Sequence, residues 1–131
     1  MKRFILLFLL LISYYVINAQ TFVVIDYIAP TGFSQERIEK GKKIIGTEVT
    51  LLFTDDDVKM TMPNKKGELV SKILFKKGKN IYRRGSCGDP YDCSDSYDEI
   101  ELNTVLGYIR SFKYTHIHHN KFGGGIILER K

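Results

Sequence analysis

Val49, Leu51 and Phe53 alternate with Thr50, Leu52 and Thr54, and beyond Asp55-Asp56-Asp57 the alternation resumes as Val58, Met60 and Met62 against Lys59 and Thr61. A period of two on both arms turns one face of each toward a core, so the segment predicts a hairpin. The aspartates mark its turn, because three like charges are tolerated where they splay into water. Elsewhere short runs of β-formers are cut by turn residues. Thr21 to Ile28 predicts a first strand ended by Pro30-Thr31-Gly32, and Leu69 to Phe75 lies between the turn formers Pro63 to Gly67 and Lys76 to Asn80. Ile81 to Arg83 is a brief strand, Ile100 and Leu102 resume the alternation, Gly107 to Ile117 is the longest strand and Phe122 to Arg130 the last. Gly123-Gly124-Gly125 predicts a bulge or tight bend, since no phosphate-loop Lys-Ser or Lys-Thr follows it.

Ser34 can cap a short helix over Gln35 to Lys40, with Gly41 in the left-handed position past its end, although Ile38 alone gives that helix little to bury. Strands joined by short turns in chain order predict a mainly β fold. The expected form is a single small antiparallel meander, a curled sheet or barrel-like closure that removes its edges, with at most one short helix near residues 35–40. In its meander the outline resembles the small lipid-carrying barrels. The chain has no tryptophan, so the Gly-x-Trp signature of those families is absent and none of their binding residues carry over.

The start of the chain has a different pattern. Lys2 and Arg3 precede the apolar run Phe4 to Ile12, with Asn18-Ala19-Gln20 behind it. This order predicts a signal peptide over residues 1–19, cleaved after Ala19, and a single β domain over 20–131. The apolar run falls short of the roughly 20 residues a spanning helix needs, although Ile17 is bulkier than the small residue usual two positions before a cleavage site. The expected location is therefore exported, periplasmic or extracellular, with no stable membrane anchor once the signal is cleaved.

Charge changes this picture little. The formal charge is +5, and without Lys2 and Arg3 there are 18 Lys and Arg against 15 Asp and Glu. Lys65-Lys66, Lys76-Lys77-Lys79 and Arg83-Arg84 sit beside predicted turns, where lysines protect sheet edges, so no nucleic-acid partner is expected. Cys87 and Cys93 are the only two cysteines, and in an exported chain they predict one disulfide. The ring is small, stabilises by roughly 2 kcal/mol and pins a loop. It lacks the C-x-x-C spacing of a redox pair.

Two stretches carry candidate chemistry. On a single strand, Tyr108, Arg110, Phe112, Tyr114, His116 and His118 share a face, because side chains two apart point the same way. His116 and His118 at that spacing could contribute two metal ligands, but a third would have to come from elsewhere, such as Asp55, Asp56 or Asp57; no metal and no cofactor is expected. Exposure at a strand end is the simpler reading of the pair. The loop from residue 84 to 98 is the second. Its length and its disulfide suggest recognition, with Tyr91 and Tyr97 as amphipathic contact residues, and its carboxylates do not match the calcium-loop pattern. These features point to a non-catalytic binding protein that meets a protein or small-molecule partner through the pinned 84–98 loop or a small inter-strand pocket, using Tyr91, Tyr97, Tyr108, Arg110 and Tyr114. The alternative is a small secreted hydrolase, with or without metal assistance, that uses His116 and His118 with Arg110 and a carboxylate such as Glu48 or Glu101. A cavity enclosing the histidines and Arg110 would favour a ligand or catalysis; a filled core would favour surface recognition.

Overall fold

The computed structural model describes residues 3–9, 19–85 and 95–131. Eight antiparallel strands follow one another around a closed barrel. They are β1 (Ala19–Ile28), β2 (Glu48–Phe53), β3 (Asp57–Pro63), β4 (Leu69–Gly78), β5 (Ile81–Gly85), β6 (Tyr97–Val105), β7 (Tyr108–His118) and β8 (Lys121–Arg130). The seam is closed by β1 and β8, where Phe22 faces Arg130 and Val24 faces Leu128. Residues 3–9 are helical (α1), and α2 spans Gln35–Lys42. Among the described residues no helix is long and apolar enough to cross a membrane.

Alternation decides the interior. Phe22, Val24, Val49, Leu51, Val58, Met60, Leu74, Ile100, Phe112 and Leu128 are all but inaccessible to solvent, as the period of two on each strand requires. An eight-stranded barrel is just wide enough for such side chains to fill it. Phe22 and Phe112 meet edge to face at 4.9 Å across the centre. Each fully buried side chain of this size contributes about 1.5–3 kcal/mol.

Hairpin order gives the barrel two unlike ends. The upper end carries the connections 29–47, 64–68 and 119–120, the end of β5 and the start of β6; the lower end carries the turns 54–56, 79–80 and 106–107, the start of β1 and the end of β8. The three aspartates do turn the chain: Thr54 accepts from and donates to Asp57 across the turn, with Thr54 Oγ1 2.8 Å from Asp57 Oδ1. Ser34 caps α2 by accepting from the Arg37 amide at 3.3 Å. The helix runs past Lys40, however, and Gly41 lies inside it without a positive φ. Its lack of a side chain serves close approach, since a Cβ there would collide with the Tyr27 ring of β1.

Candidate functional site at the upper mouth

Three strands bring polar groups to the upper end of the core. On β6 the inward series Leu102, Ile100 ends in Asp98; on β7 the series Phe112, Tyr114 ends in His116; on β4 Leu74 is followed, one pleat higher, by Lys72. Asp98 and His116 are direct cross-strand partners, and this register sets Asp98 Oδ1 2.7 Å from His116 Nδ1. A carboxylate only accepts, so Nδ1 donates and the remaining ring nitrogen, Nε2, is left for another group. Lys72 donates to Asp98 Oδ2 at 3.3 Å and to the Tyr114 hydroxyl at 3.3 Å.

Burial separates these groups into support and surface. The Asp98 side chain is 9% exposed, whereas those of Lys72 and His116 are 44% and 41% exposed. A buried carboxylate is costly unless paired and hydrogen-bonded, and here two donors meet it from different strands. Burial, with the Asp98 charge beside it, pushes the Tyr114 hydroxyl well above the ordinary phenol range, so it stays protonated. Space for the imidazole comes from β8. The β7–β8 register shifts between Thr115 and Ile117, and a Cβ on Gly123 would stand 2.9 Å from His116 Cδ2 and 3.1 Å from the His116 carbonyl oxygen. The glycine run is thus the bulge expected from sequence.

Beside this mouth, Asp95 and Ser96 are tied to the turn between β7 and β8. The His119 amide donates to Ser96 Oγ at 3.0 Å, the Asn120 amide to the Asp95 carbonyl at 2.7 Å, and His119 Nδ1 lies 3.1 Å from Asp95 Oδ2. The His119 contact holds the Asp95 carboxyl below its ordinary range. His118 is exposed, its ring 4.1 Å from that of His119 and 6.2 Å from that of His116.

The residues singled out from sequence divide among three places. Tyr114 and His116 meet at the mouth. Tyr97 lies on the outer wall, where the Arg83 guanidinium packs 4.5 Å from its ring centroid and bonds Glu99 at 2.6 Å. Tyr108 and Arg110 line a shallow cleft of about 350 Å³ at the lower end with Val105, Ile109, Glu129 and Arg130. Tyr91, Cys87 and Cys93 lie outside the described residues. The shared face expected over residues 108–118 is interrupted: β6–β7 pairing shifts between Asn103 and Thr104, so Ile109 packs on the core while Tyr108 and Arg110 are exposed.

Arg110 therefore stands six residues below His116, about 20 Å at the rise of a strand, and does not join the histidines. Glu48 pairs with Lys131, and Glu101 is exposed on β6. Asp55 and Asp56 are in a lower-end turn, remote from His118. Among the described residues no three His, Cys, Asp or Glu side chains are grouped to hold a metal ion. Sequence reasoning missed Asp98 and Lys72. Stepping back by two from Ile100 and Leu102 reaches Asp98, and from Leu74 reaches Lys72, so the alternation itself carried the signal. No family model, curated protein or solved structure matches this chain.

Proposed function

We propose that the chain is an exported, non-catalytic binding module that meets its partner at the upper mouth, with the 84–98 loop beside the Lys72–Asp98–His116–Tyr114 cluster. The observation that carries this reading is the division of the barrel: its middle is filled by core side chains, while partly exposed polar groups held by a buried carboxylate gather at one end. A filled scaffold leaves recognition to its ends. Lys72 offers a donor to an anionic or carbonyl-rich partner, His116 Nε2 offers an acceptor to a partner's N–H or O–H, and the tyrosines of the loop supply amphipathic contact area. Site-specific photocrosslinking in the exporting cell tests it. A crosslinker at His118 should give one discrete adduct, lost in His116→Ala, and a crosslinker on the outer wall at Lys59 should not. Equal adducts at both positions, or none at His118, would overturn it.

A second reading is favoured by one contact. Asp98 orients His116 as a carboxylate orients the imidazole of a general base, leaving Nε2 to take a proton from water. This hydrolase would use Asp98 in place of Arg110. Its test is turnover of activated esters, abolished by His116→Gln; absence of turnover in the wild-type protein removes it.

A further inference from the structure

The turn between β6 and β7 breaks a local rule. Leu106 has φ 51° and Gly107 φ 81°, the left-handed pair of a two-residue hairpin turn in which the first position favours Asn or Asp. A leucine there is strained. It also buries nothing, being 93% exposed, with Val105 and Tyr108 exposed beside it. Local strain without a structural return marks a functional position. At the foot of this tip, Arg110 and Arg130 line the lower cleft, and neither has a carboxylate partner among the described residues. Glu129 offsets one of them there. The aspartates of the β2–β3 turn sit on the opposite side of the barrel, four strands away.

An apolar tip flanked by unpaired cations suits a bilayer interface, where leucine enters the acyl boundary, tyrosine lies at headgroup level and arginines meet anionic lipid. We propose that the lower end docks on an anionic phospholipid surface, with Leu106 inserted, Tyr108 at the interface and Arg110 and Arg130 on the headgroups. The docking is independent of the mouth reading and turns the mouth away from the membrane.

Because the chain has no tryptophan, a single one reports its own surroundings. In the mature exported protein, Leu106→Trp emission should shift to the blue on adding vesicles of phosphatidylcholine with phosphatidylglycerol and be quenched by brominated acyl chains. Asn64→Trp, at the upper end, should respond to neither. Leu106→Asn should raise the melting temperature by a few degrees, since it relieves the turn, and should weaken vesicle binding at least about tenfold. Arg110→Gln with Arg130→Gln should weaken binding to the anionic vesicles by roughly tenfold or more and abolish the preference over pure phosphatidylcholine. Unchanged Leu106→Trp emission, equal responses at both tryptophans, or wild-type vesicle affinity in Leu106→Asn would overturn the proposal.

Discussion

Asp98 sits where a small barrel can least tolerate a charge, at the top of an otherwise apolar stack, and its partners come from strands on either side of β6. Replacing it by Asn keeps the shape and removes the charge, so Lys72 and His116 lose a charged acceptor; stability should fall by about 1–3 kcal/mol, read by denaturant unfolding. Lys72→Met should cost less, because a half-exposed ammonium gains little from the pair. Tyr114 makes a prediction at the alkaline side. Its folded pKa is raised above the ordinary 10.0, so its contribution is intact below that value and is lost as the pH climbs toward the higher folded value. Tyr114→Phe should therefore reduce the loss of stability above about pH 10, measured by thermal melts across that range. The importance of Asp98 was concealed by its neighbours: Asp92, Asp95 and Glu99 make the segment read as an acidic loop, and composition masks the single position that continues the inward alternation.

At the level of elements, β2 and β3 were legible because their alternation is a local property, and β4 and β8 because runs of β-formers lie between turn residues, both visible in each run alone. The interruption in β7 was not. A register shift depends on what the neighbouring strand offers, and nothing within Tyr108 to His118 announces that Arg110 leaves the face of Phe112. The end of α2 was hidden for a related reason: Gly41 looks like a terminator until the Tyr27 ring occupies the space a side chain would need. The tie between residues 95–96 and the β7–β8 turn yields two expectations. Asp95 titrates below its ordinary 3.8, so its support is complete above that pH and disappears as pH falls through the lower folded value. Amide exchange at His119 and Asn120 should then accelerate while the core amides of β7 stay protected. The second concerns the disulfide expected between Cys87 and Cys93. With the loop's C-terminal flank held independently, reduction should lower the melting temperature by only a few degrees, against about 2 kcal/mol for so small a ring.

For the whole molecule, the meander and its barrel-like curl were readable from turn spacing, but the choice between an open curl and a closed barrel was not, since no local signal says that the first strand will meet the last. Closure follows from the register at the seam and from the amide of Lys131 bonding the Thr21 carbonyl at 3.0 Å. Eight hairpin-linked strands necessarily return the chain to the rim it left. That neighbourhood of start and finish makes the barrel a candidate for circular permutation. A short flexible peptide from Lys131 to Ala19, with new termini opened in the exposed turn at Lys65-Lys66, should give a protein of the same circular dichroism. The old seam would then be an ordinary hairpin, and the β3–β4 pairing would become the contact that must wait for the whole chain. If closing the ring is the slow step of folding, the permutant will show it by moving the rate sensitivity from Phe22 and Leu128 to Val58 and Leu74, because the cost of joining distant segments follows their separation along the chain.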